Sequence, residues 1–162
     1  MNIHEHPAKT AEALSYGKAA AIAEAYPDCV VLGADTLGFL QLKNGLKIKL
    51  GKPKDHEEAY NMLKNMSGQR LEFYTGFTLI HKNAQKVLTD FDLAFVKIKK
   101  LSEQEIQNYI GTGEPFQAAG ALISEQKGAV LIEKITGDPT TLIGLPLHKL
   151  HKALKKFGIQ AF

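Results

Sequence analysis

An aspartate that closes an apolar, β-branched run is the first residue whose position suggests chemistry. Asp35 directly follows Cys29-Val30-Val31-Leu32-Gly33-Ala34. This predicts it at the carboxyl end of a buried central strand, where open α/β sheets hold their ligands; a turn-capping aspartate suits the same position. Gly33 lets another group approach the backbone closely. Lys18 stands between Leu14 and Ile22 at i+4 steps, a charge on the expected inward stripe of a helix. It either meets an anion or snorkels out to water. Lys52 sits in Gly51-Lys52-Pro53, a loop whose proline stiffens its stem, although exposed loop lysines are common. Thr75-Gly76 interrupts a strand, which marks a bulge or a close approach by a ligand or a neighbouring element. Glu125, in the polar segment 124–128, offers oxygens to the N–H groups of a base, or is a solvated loop glutamate.

Other attractive residues carry less. His4 and His6 are two apart near the amino end, and His148 and His151 are three apart on a predicted helix without an obvious third metal ligand. The phosphate loop G-x-x-x-x-G-K-[ST] is absent, as are G-x-G-x-x-G and C-x-x-C. Net charge is +3, with 20 basic against 17 acidic residues, too mild to imply nucleic acid or a membrane surface and compatible with a small anionic ligand.

The elements that must position these groups follow from pattern. The chain has 162 residues, a length suited to one domain. Its 44% hydrophobic and 23% charged residues exclude global disorder, collagen and coiled coil. Apolar runs such as 19–23 and 129–132 are far shorter than the roughly 20 residues of a membrane span. No apolar signal-peptide core follows Met1, and the single Cys29 makes a reducing cytoplasm the expected compartment. Helical spacing predicts a helix over 7–26 with Ala11, Leu14, Ala19 and Ile22 inward. A short strand over 29–32 follows, then two strands over 36–42 and 46–50 around Lys43-Asn44-Gly45. Asp55 and Glu58 cap a helix with Ala59, Met62, Leu63 and Met66 inward, ended by Ser67-Gly68. Two long strands over 70–81 and 86–97 form a hairpin. Ser102 and Glu105 form a capping box, 114–128 reads as loop with one short extended piece, and 129–135 reads as strand. A last helix begins at Pro146 with Leu147, Leu150, Leu154 and Phe157 on one stripe. The order implies an α/β fold with a mixed, twisted sheet flanked by helices.

Taken together, the motifs resemble the Maf family of nucleoside triphosphate pyrophosphatases. The matching segments are Gly33-Ala34-Asp35-Thr36, Gly51-Lys52-Pro53-Lys54-Asp55, Ser67-Gly68, Tyr74-Thr75-Gly76, Leu101 to Ile106, Thr112-Gly113-Glu114-Pro115, Ala119-Gly120-Ala121 and Gly144-Leu145-Pro146-Leu147. They are collinear over about 30–150, and as a set they are specific. The resemblance implies a Maf-like, ITPase-like fold and hydrolysis of a nucleoside triphosphate to monophosphate and pyrophosphate with a divalent cation (Mg, Mn or Co). Asp35 matches the family's acid/base aspartate and is implied as the metal ligand. Lys52 and the pair Lys18-Ala19 match lysines that face the triphosphate, and Thr36, Thr75 and Glu125 fall at substrate-binding positions.

Ser124-Glu125 and Gly137-Asp138-Pro139-Thr140-Thr141-Leu142 resemble the branch that clears 7-methylguanosine triphosphate. A carboxylate accepts from both the N1–H and the amine of guanine and complements a methylated, cationic base. Thr36 is usual in the dTTP/UTP branch, so pyrimidine specificity stays open. The family's opening strand and Ser-x-Ser-Pro-Arg-Arg loop do not occur, which implies a chain short at its amino end, with weakened activity or a nucleotide-binding role without catalysis. The expected partner is a nucleoside triphosphate, with neither nucleic acid nor membrane; a homodimer stays open.

Overall fold

The computed structural model describes residues 6–42 and 45–160. Lys43 and Asn44 of the first predicted turn, and His4, lie outside the described residues. Along the chain run α1 (Pro7–Ala23), β1 (Val30–Gln41), β2 (Lys47–Lys49), α2 (His56–Met66), β3 (Arg70–His81), β4 (Lys86–Ile98), α3 (Glu103–Ile110), three 3₁₀ turns, β5 (Ile132–Thr136), α4 (Pro139–Ile143) and α5 (Leu147–Lys156). The strand order is β2-β1-β3-β4-β5, and the sheet is antiparallel. The α/β class with flanking helices therefore stands, refined from a mixed sheet to an antiparallel one.

The chain divides into two compact units and passes between them at four points. The first comprises 1–37, 74–93 and 138–162; the second comprises 38–73 and 94–137. Strands predicted over 29–32 and 36–42 are one continuous strand, β1. Asp35 therefore lies within a strand instead of at its carboxyl end, and the central strand of the sheet is β3. From Leu71 to Ile80 every residue of β3 is buried, the signature of a strand covered on both faces.

In the first unit, α1 lies against β1 and β3 at backbone distance. A Cβ added at Gly33 would stand 2.4 Å from the Ser15 carbonyl oxygen, and one at Gly76 would stand 2.3 Å from that of Ala11. Both glycines thus admit a neighbouring helix. The same proximity leaves no depth for large side chains on the helix. Its buried stripe is Ala11, Ser15, Ala19 and Ala23 at i+4 steps, while Leu14 and Ile22 are exposed. The expected inward stripe through Leu14 and Ile22 is displaced for this reason, and Lys18 is exposed beside the buried one. Hydroxyls tie the contact. Ser15 donates to the Glu12 carbonyl at 2.8 Å, so Thr78 must donate to Ser15 at 2.9 Å, and Thr89 to Thr78 at 3.0 Å. On the opposite face, Phe77 and Leu79 of β3 pack with Leu150 and Ala153 of α5.

In the second unit, Asp55 caps α2 by accepting from the Glu58 N–H at 2.8 Å, whereas Glu58 accepts from the Lys54 N–H. Ala59, Leu63 and Met66 are buried, and Met62 is half-buried. The Ser102–Glu105 capping box forms as predicted. The strand expected over 129–135 begins only at Ile132, because Lys127–Leu131 is a 3₁₀ turn; Glu114–Gln117 and Ala119–Ala121 are also 3₁₀ and replace the extended piece. In the last helix Leu150 is buried but Leu147 is exposed.

Gly33→Ala is expected to lower stability by about 1–3 kcal/mol through overpacking against the Ser15 carbonyl. Gly17→Ala, where the added Cβ meets nothing, should raise it by about 0.5–1 kcal/mol by removing a mid-helix glycine. Urea midpoints of the two variants check both.

Candidate functional site

The approach of α1 to the sheet delivers Lys18 to Asp35. Lys18 Nζ stands 2.6 Å from Asp35 Oδ1 and 3.1 Å from the Ala34 carbonyl oxygen. The aspartate side chain is 19% exposed and the lysine 57%, so both heads reach solvent. An acidic and a basic group share one accessible spot, fixed by a strand on one side and a helix on the other. A carboxylate so placed can accept a proton from water or face a cation, and the ammonium can face an anion.

Thr36 and Thr75 form a second group. Adjacent side chains of a strand alternate faces, so Asp35 lies on the α1 side of β1 and Thr36 on the side of α4. Thr75 is fully buried and donates its only hydrogen to the Thr141 carbonyl at 2.7 Å. Thr36 must therefore donate to Thr75 across their 2.8 Å contact. The Thr141 hydroxyl donates to Asp92 Oδ2 at 2.6 Å. Sequence reading missed this buried row, because Asp92 and Thr141 are distant in the chain and nothing in either segment marks the other.

Beside it, Asp138 caps α4. Its Oδ1 accepts from the Thr140 N–H at 2.9 Å, and its Oδ2 from the Thr140 hydroxyl at 2.7 Å. His148 Nδ1 lies 2.7 Å from the same Oδ2. Burial pushes the Asp138 carboxyl up, but the His148 and Thr140 hydrogen bonds outweigh it and hold the pKa at about 2. Lys149 donates to the Phe91 carbonyl at 2.6 Å and lies 3.3 Å from Asp92 Oδ1.

Lys52 and Glu125 belong to the second unit. Lys52 is exposed in the loop between β2 and α2, where Pro53 is buried and the Gly51 carbonyl accepts from the Gly120 N–H at 2.8 Å. Glu125 is exposed and accepts from its neighbour Ser124 at 2.9 Å. Its loop is anchored by Glu114, a buried carboxylate that accepts from the N–H groups of Lys127 at 2.9 Å and Gly128 at 3.1 Å. Glu114 stands in the matched segment Thr112-Gly113-Glu114-Pro115, but nothing local in the sequence marks this glutamate as buried. Tyr109, beneath the same loop, has its hydroxyl 3.4 Å from the Ile123 N–H. Burial pushes its phenol up to about 12.

A divalent cation that keeps several waters and arrives with phosphates needs only one or two protein carboxylates. Asp35, accessible and paired with Lys18, fits that demand. Among the described residues, Asp92, Asp138 and His148 bring their ligand atoms within 4.8 Å of one another.

The sequence model of the Maf family, described as Maf-like protein, matches residues 2–157. A dTTP/UTP pyrophosphatase of Thermoanaerobacter sp. (strain X514) is 41% identical over 153 residues, which cover 94% of this chain and 78% of that one. Those of Clostridioides difficile and Methanosarcina barkeri are each 40% identical, covering 98% and 97% of this chain and 79% and 77% of theirs.

The raised Tyr109 pKa gives a pH prediction. A folded value near 12 against about 10 unfolded contributes stability that is complete below pH 10 and is lost as pH rises toward 12. Phenolate absorbance should place one late-titrating tyrosine near pH 12, coincident with unfolding, and Tyr109→Phe should remove that transition.

Proposed function

The chain belongs to the Maf family, and from that premise we propose that it hydrolyses dTTP and UTP to the monophosphate and pyrophosphate, with Asp35 and Lys18 as its reacting and charge-stabilising groups. The family membership makes it a nucleoside triphosphate pyrophosphatase. The pyrimidine substrates follow the names of relatives that match almost the whole chain. They favour the pyrimidine alternative over 7-methylguanosine triphosphate, a substrate that none of those names carries. The 2.6 Å pairing of Lys18 with Asp35 on a solvent-open spot is the observation that supports the site.

In this reading Asp35 orients a water and takes its proton as the water oxygen bonds to the α-phosphorus. The bond from that phosphorus to the oxygen bridging the β-phosphate breaks, and pyrophosphate leaves. Before the nucleotide binds, Lys18 neutralises Asp35; the arriving phosphates draw the ammonium away and free the carboxylate for its work. Lys52 is proposed as a second phosphate contact. Asp35 would hold a divalent cation, which when bound would neutralise charge on the phosphate oxygens. Glu125 accepts the N3–H of uracil or thymine, a hydrogen that cytosine lacks. Thr36 and Thr75 are proposed as substrate-positioning residues, with Thr75 acting through Thr36 because its own hydrogen is committed to Thr141.

Pyrophosphate release across dTTP, UTP, dCTP and 7-methylguanosine triphosphate tests the reading. The two N3–H pyrimidines should turn over fastest. Asp35→Asn should cut kcat by about 100- to 10,000-fold, and Lys18→Met by about 100- to 1000-fold. Glu125→Gln keeps a carbonyl acceptor, so dTTP and UTP should remain preferred. Fastest release from 7-methylguanosine triphosphate, or an Asp35→Asn variant as active as the parent, would overturn it.

A further inference from the structure

We propose that Asp92, Asp138 and His148 form a binding site for a divalent first-row transition metal, separate from Asp35. The three come from β4, the amino end of α4 and the first turn of α5, and their ligand atoms lie within 4.8 Å of one another. Carboxylate and imidazole ligands hold such an ion at about 2.0–2.2 Å, which puts neighbouring ligands of a tetrahedral site about 3.3–3.6 Å apart. The widest pair closes by up to about 1.5 Å, within the reach of side-chain rotation, and the 2.7 Å hydrogen bond between His148 Nδ1 and Asp138 Oδ2 gives way to the ion. Two carboxylates with one imidazole are a mixed nitrogen and oxygen donor set, suited to zinc, cobalt or manganese more than to calcium or to a soft monovalent ion.

The carboxylates are already oriented by groups that would not themselves bind metal, as ligands in metal sites usually are. Thr141 donates to Asp92, and the Thr140 N–H and hydroxyl donate to Asp138. The neighbouring charges leave an excess for a cation. Lys149 is 3.9 Å from Asp90 and 3.3 Å from Asp92, and its closest partner is the neutral Phe91 carbonyl, while Lys152 and Lys156 line the pocket on the Asp90 side and leave Asp92 and Asp138 to the ion. The two ligating aspartate side chains are only 14% and 18% exposed, so water screens them weakly, while His148 at 48% leaves an entry path. Three protein ligands leave a coordination position for water or an anion. The site joins β4 to α4 and α5 on the sheet face opposite α1, and a bound ion would brace the hydroxyl row that runs from Asp92 to Thr36.

The ion and Lys149 compete for Asp92, and this makes the proposal testable without turnover. Chelator-treated protein, free of nucleotide, is titrated with Co²⁺ by visible absorbance and with Zn²⁺ by calorimetry. One ion per chain should bind, with a rise of several degrees in Tm at a hundredfold excess over Kd. His148→Gln, at an exposed position, should weaken binding at least 100-fold, and so should Asp92→Asn. Lys149→Gln should tighten it about tenfold. Asp35→Asn should bind as the parent does, which separates this site from the proposed reaction. No binding by the parent chain, binding unchanged in His148→Gln, or loss of the ion in Asp35→Asn would overturn the proposal.

Discussion

The backbone-distance contact of α1 with the sheet is the constraint from which the first unit takes its form. Gly33 and Gly76 remove the side chains that would hold the helix away. Alanines and one serine every fourth residue on α1 complete the fit. A helix seated so low exposes its larger apolar residues, Leu14 and Ile22, and gains less from hydrophobic burial than a leucine stripe would provide. Dense packing and the chain of hydroxyls from Thr89 through Thr78 to Ser15 compensate. Each such buried hydrogen bond contributes about 0.5–1.5 kcal/mol, and leaving one unmade costs more.

The same contact sets the charge pair on which the proposed function rests. A lysine side chain reaches only a few ångströms, so Lys18 meets Asp35 because the helix axis is this close to β1. The pair is largely exposed at its lysine end, and its contribution to stability is correspondingly small. Its value lies in holding a basic and an acidic group ready on rigid elements, one helical and one extended. A charge pair that costs little to separate is suited to the exchange of partners that the proposed reaction requires.

Across the sheet the chemistry differs. The row Thr36, Thr75 and Asp92, topped by Thr141, is a polar strip beside an apolar cluster of Phe77, Leu79, Leu150 and Ala153. Every hydrogen in it has one available destination, so its polarity runs in a fixed direction and its geometry admits little variation. Polar groups buried in this way specify one arrangement of α4 on the strands, where apolar contacts alone would tolerate sliding.

Local signals in the sequence determined the elements whose causes are local. The hairpin of β3 and β4, the Asp55 and Ser102 caps, and the glycine that follows α2 each depend on residues within a few positions. They were legible because a cap or an alternation acts over one turn or one strand. Asp35, Lys18, Lys52, Thr36, Thr75 and Glu125 were legible as out-of-place polar groups and as family motifs. Which of them touch was not legible, because period-2 alternation places Asp35 and Thr36 on opposite faces only once their strand is known to be continuous. Tertiary structure alone decided the pairing of Lys18 with Asp35 and the 3₁₀ form of 127–131, where Glu114 accepts from the Lys127 and Gly128 N–H groups just ahead of the expected strand. It alone also brought His148 within 4.8 Å of the Asp92 and Asp138 carboxylates. Those three residues are joined by folding across 46 and 10 positions, and no local energy in the chain records that meeting.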